Sequence, residues 1–240
     1  MKLIEMRPEQ VRAAAQRNTA VLIAAGVVEY HGPHLPVGTD FLIANSVVEG
    51  IERRCEVVVA PPLPLGPTGS WAAGPEDGEF DFPPEPFFHY AKAVLRGLLD
   101  MGFRRIFVLQ HHQSREGVQS LCLQRAAAEL ALEDGRAQGH SWGQLPRDQR
   151  AQVFGRVRVL EPTSFLTGDE SKQAKVSWGH ASFGETSYIL GVYPHLAKME
   201  NLPPAPKPDW LKDSAKGNAE VGRRWFEVCV NSWVRALTSA

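Results

Sequence analysis

The sequence predicts an α/β fold: a single three-layer domain, residues 1–240, with a central, mostly parallel sheet flanked by helices. Three observations carry this. Short apolar runs alternate with longer segments of helical periodicity between residues 18 and 160, the order that builds parallel sheets. The runs, within 20–26 and 104–109, are nearly continuous in apolar side chains, as strands covered on both faces must be. A chain of 240 residues, 43% hydrophobic and 22% charged, can fill one sizeable core.

The elements follow in order. Residues 7–16 form a helix with Pro8 near its first turn, where a missing N–H costs little. Residues 18–26 are the first strand. Residues 41–54 are a helix with Leu42, Val47, Val48 and Ile51 on its apolar side. Residues 55–60 are a β-branched second strand, stopped by Pro61 and Pro62. Residues 61–86 are rich in Gly and Pro. Loops of that length inside a compact domain are functional or disordered. Trp71, Phe80 and Phe82 argue for an ordered one that borders the site or a subunit contact.

Residues 87–101 form a helix ended by Gly102. Residues 104–109 are the third strand, and 116–134 an alanine-rich helix. Residues 135–150 are a polar surface excursion, 153–160 the fourth strand, and 161–179 irregular. Residues 186–191 begin a helix or a strand that stops at Pro194. Residues 201–209 are a proline-rich connector, and 213–238 the last helix, with Val221, Trp225, Val228 and Cys229 among its apolar positions.

Composition excludes several classes. Lys and Arg number 26 against 27 Asp and Glu, a net charge of -1, so there is no electrostatic footprint for nucleic acid or an anionic membrane. Cys55, Cys122 and Cys229 are few, odd in number and widely spaced, which fits reduced thiols and a cytoplasmic location. Residues 1–17 carry charges throughout and do not read as a signal peptide. No segment approaches a transmembrane span.

The chemistry concentrates after the first strand. Glu29-Tyr30-His31-Gly32-Pro33-His34-Leu35-Pro36, then Gly38-Thr39-Asp40, lies between the carboxyl end of a strand and a helix, where open α/β sheets bind ligands. Pro33, Pro36, Gly32 and Gly38 fix the path of that loop. Carboxylate and neutral imidazole are ligands that zinc and manganese accept. Each residue also has a plainer reading: an exposed loop histidine, or, for Asp40, a cap of the helix that follows.

This stretch resembles the signature of the creatininase family, the creatinine amidohydrolase-like metal hydrolases. The resemblance implies a two-metal centre in which Glu29, His31 and Asp40 are ligands, with Asp40 bridging. His34 fits the motif but is not assigned to metal. A second segment, Gln110-His111-His112-Gln113-Ser114-Arg115, resembles the family's Asn-Gly-His-Gly-Gly-Asn, and its metal-binding His maps onto His112. Here the chain departs from the pattern. His111, Gln113 and Ser114 replace glycines, which narrows or repurposes the pocket, and the Glu that creatininase itself carries two residues after the ligand His is Ser114. His111 reads either as a pocket residue or as a packed bystander.

A third segment, Gly179-His180-Ala181-Ser182-Phe183-Gly184-Glu185-Thr186-Ser187, resembles the family's His-Ala-Gly…Glu-Thr-Ser. It offers Glu185 as the remaining ligand of the second metal and His180 as the catalytic histidine. Glu185 reads alternatively as a helix cap. Trp178 walls the pocket or is a packed aromatic.

The resemblance thus implies Glu29 and His112 on one ion, His31 and Glu185 on the other, and Asp40 on both. The ions are zinc first, with manganese or iron as alternatives. Such a pair brings a water near neutral pKa, and His180 exchanges protons. No Gly-x-Ser-x-Gly elbow supports a serine hydrolase. The expected reaction is hydrolysis of a cyclic amide or another non-peptide C–N bond of a small molecule. The alternatives are opening of a keto-sugar or keto-inositol substrate, and a non-catalytic metal-binding protein on the same fold. The resemblance further implies self-association, as a hexamer.

Overall fold

The computed structural model describes residues 1–240 except 151, 176, 178, 205–207 and 240. Among these residues four strands, β1 (Val21–Ala25), β2 (Val58–Val59), β3 (Ile106–Gln110) and β4 (Val157–Leu160), form a wholly parallel sheet in the order β2-β1-β3-β4. Among the described residues there are seven α-helices: α1 (Pro8–Gln16), α2 (Thr39–Glu52), α3 (Pro84–Asp100), α4 (Val118–Ala137), α5 (Gly168–Ala174), α6 (Phe183–Val192) and α7 (Ala219–Thr238).

Successive side chains of a strand point to opposite faces, and β1 shows the consequence. Val21, Ile23 and Ala25, with Ile106 and Val108 of β3, pack against residues of α1, α3 and α4. Leu22 and Ala24, with Phe107 and Leu109, pack against α2, α6 and α7. The second layer is anchored by Trp225 and Trp233, both fully buried. A buried indole of this kind is worth about 3–5 kcal/mol against alanine.

Connection α2 crosses on one face, while α3 and α4 cross on the other. The chain therefore reverses its winding between β1 and β3, whose register runs from Val21↔Ile106 to Ala25↔Gln110. Loops leaving such neighbours diverge and leave a crevice at their carboxyl ends. The glycine after β1 lets the next helix approach: a Cβ on Gly26 would lie 2.5 Å from Phe41 Cα. That contact seats the first turn of α2, and Asp40 with it, over the crevice.

Two expectations need correction, and one open alternative, helix or strand at 186–191, is decided. Residues 161–179 are not wholly irregular, because α5 lies within them, started by a capping box in which Thr167 and Glu170 satisfy each other's backbone N–H groups. The second strand shrinks to two residues, since the sheet edge needs only the pairs with Val21 and Leu22. Residues 186–191 are helical, within α6. The loop at 61–86 is ordered by side chains of its own. Glu79 accepts hydrogen bonds from Thr68 Oγ1 and the Ala73 amide, and Asp81 accepts from the Thr68 and Gly69 amides.

Candidate metal centre

Three distant stretches meet above β1 and β3. The loop after β1 and the start of α2 bring Glu29, His31 and Asp40; the end of β3 brings His111 and His112; the start of α6 brings His180 and Glu185. Glu29, His31, Asp40 and His112 are all buried. Trp178 lies outside the described residues.

Asp40 is the hub. Its Oδ2 lies 2.9 Å from His112 Nδ1, and its Oδ1 lies 3.4 Å from His31 Nε2. His112 Nδ1 also stands 3.3 Å from Glu29 Oε2, and His31 Nε2 stands 3.6 Å from Glu185 Oε2. The donor atoms fall into overlapping groups able to hold an ion: Glu29, Asp40 and His112; His31, Asp40 and Glu185; and Glu29, His31 and His180. Asp40 is not the helix cap. Gly38 takes that position, and Asp40 sits in the first turn.

Burial makes this arrangement costly without a cation. Both carboxylate oxygens of Glu29 and Nε2 of His31 are buried with no hydrogen-bond partner. An ionised carboxylate removed from water needs a compensating charge, so the donor set fits divalent metal. Electrostatics agree. Burial works against charge on His31, but Asp40, helped by Glu185 and Glu29, raises its pKa to about 9. Burial likewise opposes charge on His112, and Asp40 and Glu29 raise it to about 10. Burial would raise the Asp40 carboxyl, yet His31 and His112 hold it well below its usual range.

Each remaining residue has a place. His31 is oriented by a 2.9 Å hydrogen bond from Nδ1 to the carbonyl of Glu29. His34 ties the loop after β1 to helix α6: its Nε2 donates to Thr186 Oγ1 at 2.9 Å, while Thr186 donates to the Ala181 carbonyl. Burial and neighbouring His31 lower the His34 pKa to about 4, so it is neutral. Gly32 has φ +74°, and a Cβ there would lie 2.8 Å from Leu211 Cδ2, so that turn of the loop admits no side chain without strain. Glu185 is both a first-turn acid of α6 and a site residue, with Oε2 accepting from the Ala181 amide at 2.6 Å.

His180 donates from Nε2 to the Tyr30 carbonyl at 2.6 Å and turns Nδ1 toward Glu29 Oε2, 3.5 Å away. Its ring is held edge-on by Trp71 and Trp210, each with its ring centroid 4.8 Å away. Trp210 stands in a short turn just after the proline-rich connector, and no spacing signal linked it to His180. A cavity of 560 Å³ opens onto these groups, lined also by Trp71, Gln113, Ser114, Arg115, Glu116 and Glu161. Gln113 adopts φ +52°, a conformation that favours glycine, and its side chain accepts from the Val118 amide at 3.1 Å.

A buried cluster of carboxylates and imidazoles, open to a cavity at the carboxyl edge of a parallel sheet, is an arrangement able to hold divalent metal and activate water, as metal-dependent hydrolases do. The comparisons make this specific. The family model described as creatinine amidohydrolase matches residues 4–237. The chain is 23% identical to a creatinine amidohydrolase of Pseudomonas putida over 255 residues, covering 95% of this chain and 92% of that one. It is 23% identical over 195 residues to a 3-dehydro-scyllo-inosose hydrolase of Thermotoga maritima, covering 81% of this chain and 57% of the relative. Among solved structures, a manganese creatininase superposes with a TM-score of 0.77 at 21% identity, over 99% of this chain and 97% of that one. A glutamate-to-glutamine creatininase variant of Zn-Zn type matches equally well. The chain belongs to the creatininase family of metal-dependent amidohydrolases.

Proposed function

We propose that this chain hydrolyses a cyclic amide or another non-peptide C–N bond of a small molecule with two divalent ions, zinc first. Glu29 and His112 would hold one ion, His31 and Glu185 the other, and Asp40 would serve both. The observation that supports this most is the division of Asp40, which turns one oxygen to His112 and the other to His31. When bound, such ions acidify water and draw charge from a carbonyl oxygen.

The chain's own residues do the rest. The hydrogen bond from His180 Nε2 to the Tyr30 carbonyl fixes the tautomer and leaves the Nδ1 lone pair facing the Glu29 side of the site. Burial and neighbouring His31 lower its pKa, so Nδ1 is free to take a proton and return it to a leaving nitrogen. Trp71, itself half exposed, lines the cavity and packs edge-on against the His180 ring. The lining from Gln113 to Glu116, together with Glu161, offers hydrogen-bonding groups to a small polar substrate.

A second reading is opening of a keto-sugar or keto-inositol. The name of the Thermotoga relative and the polar wall with Arg115 favour it. The test is metal analysis with a substrate panel of lactams, cyclic ureides, formamides and keto-sugars. Amide turnover lost on chelation and on Glu29→Gln is expected. Turnover of keto-sugars alone selects the second reading, and bound metal with no turnover at all overturns both. We further infer that the chain self-associates as a hexamer and works in the cytoplasm. Among the described residues no helix is long and apolar enough to cross a membrane. Light scattering that finds a monomer at micromolar concentration overturns the hexamer.

A further inference from the structure

His111 is the histidine of this site to which the reading above gives no task. Its backbone amide donates to the Ala25 carbonyl at 3.1 Å, which pins it to the end of β1. Its ring lies edge-on to Trp225, with centroids 6.5 Å apart. It is 5% exposed, so the ring has little room to turn. Nε2 lies 3.1 Å from Glu185 Oε1 in hydrogen-bond geometry and 3.9 Å from Asp40 Oδ1.

Glu185 is thereby gripped at both oxygens. Oε1 meets His111, while Oε2 meets the Ala181 amide and faces His31 Nε2. A carboxylate on a helix's first turn has several rotamers open to it, and each one that turns away from His31 breaks the group of His31, Asp40 and Glu185. Donors behind a metal-binding side chain select the rotamer that binds.

We propose that His111 is a positioning residue: donating from Nε2 to Oε1, it holds Glu185 turned toward His31 and sets the affinity of the second ion. The proposal rests on the two-ion reading given above. It makes the His111-His112 pair a division of labour in which neighbouring imidazoles serve different ions. His112 faces Asp40 and Glu29 directly, and His111 acts through Glu185.

The test titrates the full-length metal-free protein with zinc against a competing chromophoric chelator, for wild type and three variants. His111→Phe keeps a ring against Trp225 and removes the donor; His111→Ala removes both; His111→Gln keeps an N–H donor. Phe and Ala are expected to weaken one of two zinc ions by roughly 10–100-fold, the range for lost outer contacts of a metal site, and to leave the other unchanged. Gln is expected to restore most of that loss. Wild-type affinity for both ions in Phe or Ala overturns the proposal alone. A Gln variant as weak as Ala also overturns it, because an N–H donor at this position then does not restore the affinity. A wild type that saturates at one ion overturns the two-ion reading, and this proposal with it.

Discussion

Asp40 and His112 are 72 residues apart in sequence and 2.9 Å apart in the fold, Oδ2 against Nδ1. The other oxygen of the same carboxylate faces His31. A residue that serves two groups is the most informative one to change.

Asp40→Asn removes negative charge from both groups at once. Outer contacts of a metal site already cost roughly 10–100-fold when lost, so a shared ligand costs more. Metal content by mass spectrometry of dialysed protein is expected to fall from two ions toward none, while Glu29→Gln and Glu185→Gln each lose one. An Asn variant that retains two ions contradicts the assignment.

His180→Ala is expected to keep both ions and to lower kcat by roughly 10²–10⁴-fold, the usual share of general acid–base catalysis. His180 also stands within reach of Glu29 and His31, so loss of an ion in this variant makes it a ligand. The wild-type pH profile provides a second check. Burial first, then His31, lowers the His180 pKa. Activity carried by its neutral form holds at neutral pH and falls as pH drops through that depressed value.

Metal binding is expected to release protons at pH 7. In the metal-free protein, despite burial, the neighbouring carboxylates raise His31 to about 9 and His112 to about 10, which favours their protonated forms at pH 7, and ligation requires them neutral. Calorimetry in two buffers of different ionisation enthalpy counts the protons, and no release contradicts the assignment. The same shifts set a stability trend. A pKa raised above the unfolded value of 6.5 stabilises the fold below that pH and loses its contribution as pH rises through 9 to 10. The melting temperature of chelator-treated protein should fall across that window, and that of loaded protein should fall less.

Gln113→Gly exchanges two effects of similar size. It relieves the left-handed backbone conformation, worth about 1–2 kcal/mol, and it loses the hydrogen bond to the Val118 amide, worth about 1 kcal/mol. Thermal stability should move little and metal content not at all. The widened wall should change the ranking of substrates in kcat/KM. An unchanged ranking removes Gln113 from the pocket's selective surface.

The layered fold was legible because burial on both faces writes apolar runs such as residues 20–26 directly into the chain. The helix at α5 was not. Its start is a short Thr167/Glu170 capping box, and seven residues are too few to display a periodicity. The site was legible where its residues are close in sequence. Glu29, His31 and Asp40 lie on one loop and the turn after it, and the glycines and prolines that shape that loop stand among them.

What the sequence determined by itself is therefore this local set, the parallel sheet that carries it, and the second and third segments as candidates to complete it. The tertiary structure alone decided which atoms face each other. The β1–β3 register sets Gln110 beside Ala25 and so brings His111 and His112 over the first loop. The seat of α6 delivers Glu185 to His111 across 74 residues and His180 to the Tyr30 carbonyl across 150. Spacing along a chain fixes geometry only within an element or a tight loop. Across elements, geometry follows from strand register and from how helices seat on the sheet, and those are set by the whole core at once.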